Sequence, residues 1–308
     1  MIPLRKVYFL INPKAGHRKG NGLLGLIEEW ALKNNIDFEV HHSHESGGYP
    51  EIERRMTSPE ETVFAAIGGD GTFRQICDSL RHTGAAFAIV PKGSGNGLAY
   101  GAGIPMNPKL ALELIRNGEA KWTDGLSING SFSVMLSGVG FDAAVAQEFA
   151  RQSTRGLLTY ARITLKHFFR SKPYNFLIRT GNSSLDTKAF FISLANSNQF
   201  GNRFTIAPSA RIDDGLMDMV VVKEMDKWQI PLAILQQIQR GDIDENLFCK
   251  KEILYIRTSE IEILNPEMAP VHIDGDPVET SSILKVKVLP KAFRLIRPSG
   301  AGNACRAL

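Results

Sequence analysis

The sequence predicts a two-domain chain: an α/β domain built on a parallel sheet, then a β-sandwich that carries helices. Three observations support this. Apolar, β-rich runs alternate with amphipathic stretches in the first part of the chain. Glycine-rich turns directly follow three of those runs. Beyond Asp124 the pattern changes to many short strand-like runs. Strand-helix-strand order implies parallel strands covered by helices, whereas many short strands between turn signals read as a sandwich or barrel.

The elements justify this in order. "KVYFLIN" (6–12), "DFEVHH" (37–42), "TVFAAIG" (62–68) and "AAFAIVP" (85–91) are the first four strands. Between the first two lies "GLLGLIEEWALKNN" (22–35), where Leu23, Leu26, Ile27, Trp30 and Ala31 fall at helical spacing. The later strands are "FSVMLSGVG" (132–140), "NFLIRT" (175–180), "KAFFISLAN" (188–196), "GLMDMVVV" (215–222), "KEILYIRT" (251–258), "IEIL" (261–264) and "ILKVKVL" (283–289). Helices are expected near 155–170 and 226–239. The domains are read as 1–125 and 126–290, with the tail 291–308 able to pack back on the first.

Composition narrows the function classes. The 308 residues are 43% hydrophobic and 22% charged, an ordinary globular balance. Cys77, Cys249 and Cys305 form no CxxC pair, which argues against thiolate metal sites and a disulfide framework. The start, "MIPLRKVYFLINP", reads as a first strand rather than a signal peptide, and no apolar run is long enough to span a bilayer. A reducing, cytoplasmic setting is expected. "HHSH" (41–44) has no carboxylate or cysteine spaced to complete a metal set and reads as a strand end.

The chemistry lies in the turns. In a parallel sheet, ligands bind where loops leave the carboxyl ends of the strands. "NPKAG" (12–16), "GGDGT" (68–72) and "PKGSGNG" (91–97) occupy those ends. Glycine lets a backbone approach a phosphate closely, and successive N–H groups can converge on the anion. None of the three is a Walker A loop or a GxGxxG fingerprint. Asp70 is unusual in so tight a turn, and a carboxylate among N–H donors suggests an anion held together with its metal.

"GGDGT" resembles the nucleotide-phosphate motif of the diacylglycerol kinase, sphingosine kinase and NAD kinase superfamily. "NPKAG", "PKGSGNGLAYGAGIP" (91–105), "GVGFDAAV" (138–145), "IAPSARIDDGLMDMVVV" (206–222) and "IDGDPVE" (273–279) resemble further family motifs, in family order. The nearest likeness is to the bacterial lipid kinases. The resemblance implies a Rossmann-like nucleotide-binding kinase domain, a β-sandwich substrate domain, and ATP with Mg²⁺ bound between them. Asn12, Pro13, Lys14, Ala15, Gly16 and Ser43 would line the nucleotide. Gly68, Gly69, Asp70, Gly71 and Thr72 would wrap the phosphates, with Asp70 holding Mg²⁺ directly or through water. Gly93, Ser94 and Asn96 would close the site. Asp124 matches a second acid of the magnesium network. The backbone of Arg211 and Leu216 and the Asp214 carboxylate match a separate cation site in the second domain. Asp276 stands where the family has its Glu, the proton acceptor, and Asp274 lies two residues before it. Replacing Asp70 by Asn is expected to leave the fold intact.

The residues themselves support a base in this segment. Asp274 and Asp276 flank a glycine, so in an extended strand both point to one face, and close acids can raise one pKa. The alternative is a hairpin turn, since Asp-Gly is a preferred turn pair. Departures from the family pattern are Arg74 and Gln75, where the family has Asn and Glu after an apolar residue (here Phe73), Gly97 in place of an acid, and Asp276 in place of Glu. Together they leave fewer acids around the metal. The reading is an ATP-dependent kinase acting on a lipid hydroxyl of diacylglycerol or sphingoid type. An NAD kinase-like enzyme and a non-catalytic nucleotide or lipid sensor are the alternatives.

From Phe149 to Leu185 the chain has no acid. Within "RGLLTYARITLKHFFRSK" (155–172), Arg155, Arg162, Lys166 and Arg170 share one helical sector, while Leu157, Leu158, Ala161, Leu165, Phe168 and Phe169 share another. Such a face suits either transient docking to an anionic membrane surface or plain solvation. No nucleic-acid motif accompanies it, so a nucleic-acid partner is not expected; a homodimer is compatible with the sequence. Docking predicts that replacing Arg162, Lys166 and Arg170 together by Gln lowers binding to anionic vesicles. The effect is about 1 kcal/mol per basic side chain, and rising salt mimics it. Vesicle binding that survives both treatments leaves the face merely solvated.

Overall fold

The structure is a computed structural model. It describes residues 4–13, 21–44, 47–93, 95–150, 152, 162–164, 166, 171–181, 183–201, 204–224 and 252–299. Lys14, Ala15, Gly16 and Ser94 of the expected phosphate turns lie outside the described residues. So do Arg155, Arg170 and most of the basic stretch near 155–170, and the helix expected near 226–239. Arg162 and Lys166 are exposed, and Ile163 between them is buried. The described residues form two compact units, one up to Thr123 and again from Lys291 on, the other Asp124–Pro290.

In the first unit, β1 (Lys6–Ile11), β2 (Asp37–His42), β3 (Thr62–Gly68) and β4 (Ala86–Pro91) are parallel in the order β2-β1-β3-β4. α1 (Asn21–Asn34), α2 (Pro50–Arg55), α3 (Asp70–Leu80), α4 (Gly97–Gly101) and α5 (Pro108–Asn117) lie between or after them. Every residue of β3 is buried, which explains its unbroken apolar run. Val7, Phe9, Val63, Ala65, Ile67, Ala86, Ala88 and Val90 pack with Ile27, Trp30 and Ala31 of α1 and Ala111, Leu112 and Ile115 of α5. An aromatic group of Tyr8, Phe64, Phe73, Phe87 and Phe293 makes a separate set of ring contacts. Phe73, the apolar residue that follows the glycine motif, is thus a core residue.

The sequence reading missed α2 and α5. The start of α5 was legible: the Asn107 side chain accepts from Lys109 N at 2.9 Å, and Pro108 occupies the first turn.

The chain leaves this unit within β5 (Glu119–Ile128) and returns within the last strand. The second unit is antiparallel. It contains β6 (Ser131–Ser133), β7 (Leu136–Gly140), α6 (Phe141–Ala150), β8 (Tyr174–Thr180), β9 (Ser183–Ala195), β10 (Gln199–Gly201), β11 (Phe204–Thr205), β12 (Met217–Lys223), β13 (Ile253–Thr258), β14 (Glu260–Leu264), β15 (Val271–Ile273) and β16 (Asp276–Val278). The 15-residue β17 (Ile283–Arg297) begins here. β9 pairs with β7, β8 and β12, while β14 pairs with β8 and β17. Phe176, Ile178, Ile192, Leu194, Met219, Ile261, Ile263 and Val286 lie in its core.

Two strands differ from expectation. The run at 132–140 is broken into β6 and β7, because Val134 N and Met135 N bond a distant carboxylate instead of a neighbouring strand. The run at 283–289 is only the first half of β17. Ile283–Lys287 pairs with β14, and Arg294 and Leu295 then pair in parallel with β4 of the first unit.

Phe293 is 1% exposed and lies near-perpendicular to Phe87 at 6.2 Å between centroids. Phe293→Ala is expected to cost about 3–5 kcal/mol, read as a lower urea midpoint. An unchanged midpoint would show that the returning strand does not stabilise the first unit.

Candidate functional site

β1, β3 and β4 are parallel neighbours, so their carboxyl ends and following turns lie along one edge of the sheet. Asn12 N donates to Ile67 O at 3.1 Å, and Asn12 Nδ2 donates to Thr72 Oγ1 at 2.8 Å. Lys92 N and Gly93 N both donate to Gly68 O, at 2.8 and 3.1 Å. A Cβ on Gly93 would stand 2.4 Å from Gly69 Cα, so the two turns approach as only glycine allows. Asn96, at φ 53°, accepts from Gly93 N and donates to Gly93 O, closing the third turn on itself. Ser43 sits at the end of β2, where its N donates to Ile11 O at 2.9 Å.

Asp70 begins α3. Its Oδ2 accepts from Gly97 N at 2.9 Å and its Oδ1 from Leu98 N at 3.1 Å. The carboxylate therefore caps α4 and ties the second turn to the third, which corrects the expectation that replacing Asp70 by Asn leaves the fold intact. Gly97, where the family has an acid, stands at this same cap and donates its backbone N–H to Asp70. The first N–H groups of α3, at Gly71 and Thr72, have no acceptor within their helix, and a helix start favours negative charge. With Thr72 Oγ1, Asn12 and the Gly69–Gly93 approach, they form a cradle suited to a polyphosphate.

The acids of the second unit also differ from expectation. Asp274 and Gly275 both have positive φ, 51° and 86°, and Ile273 pairs with Asp276. They form the two-residue turn of the β15–β16 hairpin, so the two acids do not share a strand face. The Asp274 carboxylate is 6% exposed. It accepts from Ser133 Oγ, Val134 N, Met135 N and Leu136 N at 2.8 to 3.1 Å. With four donors on it, Asp274 is a structural clamp between the turn and the 133–136 segment. Asp276 is exposed at the first position of β16.

Asp124 is 3% exposed. Its N donates to Ile212 O at 2.7 Å, and its Oδ2 accepts from Gly215 N at 2.7 Å. The structure thus groups Asp124 with the 211–216 loop. Asn196, which the sequence reading missed, donates to Asp124 O and Val134 O. Asp214 Oδ1 accepts from Leu216 N at 3.1 Å, and Asp214 Oδ2 is ion-paired with Arg257. Arg257 Nε also lies 3.4 Å from fully buried Asp218, whose carboxyl is pushed above the ordinary aspartate range by burial. Arg257 thus pairs with the one carboxylate, Asp214, of the expected cation site, whose other two ligands would be the backbone oxygens of Arg211 and Leu216. Among the described residues no three His, Cys, Asp or Glu side chains cluster as a metal site.

Residues 6–128 match the diacylglycerol kinase catalytic domain, and residues 135–297 match the YegS C-terminal NAD kinase beta sandwich-like domain. The chain belongs to the YegS-like lipid kinase family. It is 29% identical over 238 residues to a Shewanella frigidimarina protein named "Probable lipid kinase YegS-like", covering 75% of each chain. It is 27% identical over 254 residues to a Pseudomonas aeruginosa protein of the same name, covering 81% of each. A solved structure described as a diacylglycerol kinase from Bacillus anthracis shares the fold, with a TM-score of 0.71, 20% identity and coverage of 95% of this chain and 97% of that one. Membership of a kinase family implies ATP use. Among the described residues no helix is long and apolar enough to cross a membrane.

An amide at position 70 would set its NH₂ against Gly97 N–H or Leu98 N–H. Asp70→Asn is therefore expected to lose about 1–3 kcal/mol of stability and to weaken ATP binding along with it. Urea unfolding and nucleotide calorimetry read the two losses. Unchanged values in both would remove Asp70 from the clamp.

Proposed function

We propose that the chain transfers the γ-phosphate of ATP to the hydroxyl of a lipid of diacylglycerol or sphingoid type, with Asp276 as proton acceptor. The observation that carries this is the contrast between two neighbouring acids. Asp274 is buried beneath four donors, while Asp276 is exposed to solvent just beyond the turn that Asp274 holds. The kinase-family membership supplies the reaction class.

Phosphoryl transfer asks the protein mainly for positioning and charge stabilisation. The cradle residues orient the phosphates: Gly71 and Thr72 through their N–H groups, Thr72 through its hydroxyl, and Gly69 and Gly93 by leaving room. Asn12 holds the Thr72 hydroxyl in place. Mg²⁺, brought with ATP, would neutralise phosphate charge. Asp70, with both oxygens already accepting N–H groups, would reach it through water. As the acceptor oxygen bonds to the γ-phosphorus, the bond to the bridging oxygen of ADP breaks and the hydroxyl proton passes to the Asp276 carboxylate. Aspartate is one methylene shorter than glutamate, so Asp276 depends more strictly on where its turn is placed. The enzyme would work in the cytoplasm, peripheral to the membrane, taking its lipid from an anionic surface.

Asp276→Asn is expected to bind ATP within a few-fold of the parent while turnover on lipid micelles falls by about 10²–10⁴-fold. Product mass spectrometry with lipid extract identifies the acceptor. Wild-type turnover in Asp276→Asn would sink this role, and phosphorylation of NAD without lipid turnover would sink the lipid assignment.

A further inference from the structure

His272 and Asp142 are a buried ionisable pair that the mechanism above leaves unused. His272 is fully buried on β15 and Asp142 is 5% exposed at the start of α6. His272 Nε2 lies 3.2 Å from Asp142 Oδ2, and Asp142 Oδ1 accepts from Ala143 N at 2.8 Å. On the other side of the ring, Gly275 N donates to His272 Nδ1 at 3.2 Å. A backbone N–H can only donate, so Nδ1 is the acceptor. The ring proton then sits on Nε2 and is donated to Asp142. The pair thus fixes one neutral tautomer of the imidazole.

Gly275 is the second residue of the hairpin turn, and the next residue is Asp276. In a two-residue turn the outer hydrogen bond joins the flanking residues, so the N–H of the second turn residue needs another acceptor. His272 supplies it, which orients the Asp274–Gly275 peptide plane. The Asp274 carboxylate fixes the same turn from the 133–136 segment. α6 packs against β7, β15 and β16, which places Asp142 behind the hairpin. Space for the pair is reserved: a Cβ at Gly138 would stand 2.1 Å from Asp142 Oδ2 and 3.0 Å from His272 Nε2. Burying a carboxylate beside an imidazole costs free energy that an apolar pair of similar volume would not.

We infer that His272, oriented by Asp142, is a positioning residue that holds the Gly275 amide and so sets the direction of the Asp276 carboxylate. This rests on Asp276 being the proton acceptor. The pair acts through the turn, by way of the Gly275 amide.

The two contacts can be separated. In His272→Asn the side-chain oxygen takes the place of Nδ1 and can still accept from Gly275 N–H, but the amide cannot reach Asp142. In His272→Gln the amide reaches Asp142 and leaves the Gly275 N–H without an acceptor. Expected is a fall in kcat on lipid of roughly 10–10²-fold for His272→Gln, with KM for ATP within twofold of the parent, and most of kcat retained in His272→Asn. In single-turnover measurements on an Asp276→Asn background, His272→Gln should cause no further loss, because the group it positions is gone. Three results would overturn the inference. One is equal kcat in both His272 variants. Another is the reverse order. The third is a loss of the same size with and without Asp276, which would mark a purely structural pair. Asp276→Asn by itself separates the two levels: wild-type turnover there removes the proton acceptor, and the inference with it, before any His272 variant is made.

Discussion

A carboxylate that collects backbone N–H groups from a distant turn is the interaction on which both units depend. Asp70 takes the N–H groups of Gly97 and Leu98, and Asp274 takes those of Val134, Met135 and Leu136 together with the Ser133 hydroxyl. Such charge-assisted bonds are worth roughly 1.5–3 kcal/mol each, more than an ordinary backbone bond. In the first unit the carboxylate ties together two turns whose backbones meet at Gly69 and Gly93 too closely for any side chain. In the second it interrupts what would otherwise be one strand from 131 to 140 and fixes the turn before Asp276. Without either clamp the glycine-rich segments would retain the conformational freedom that glycine brings.

This arrangement separates rigidity from chemistry. Two of the acids that the sequence singles out, Asp70 and Asp274, are held by backbone donors. The acid left exposed, Asp276, follows a turn held on two sides, by Asp274 and by the His272 ring. A short carboxylate on a fixed turn can replace a longer one on a looser turn, because proton transfer needs the oxygen at one place and not the extra reach. The same economy appears in the 211–216 loop. Arg257 pairs with Asp214 there, and the Asp124 carboxylate accepts from Gly215, so both carboxylates are engaged by protein groups.

The sequence by itself determined the parallel α/β order of the first unit, the change to short antiparallel strands after Asp124, and the three turns at the strand ends. These are local properties. Hydrophobic period and glycine position are written in neighbouring residues, and the buried run of β3 or the cap at Asn107 can be read without knowing what packs against them. Family motifs extended that reading to the kinase class. Only the tertiary structure decided what each acid does. Asp274 and Asp276 are two residues apart in an ordinary turn sequence, yet one is buried under donors that lie about 140 positions earlier and the other faces solvent. His272 reads as an ordinary strand residue until the fold brings Asp142 to one ring nitrogen and Gly275 to the other. A carboxylate's role is set by which donors reach it, and those donors come from segments far apart in the chain.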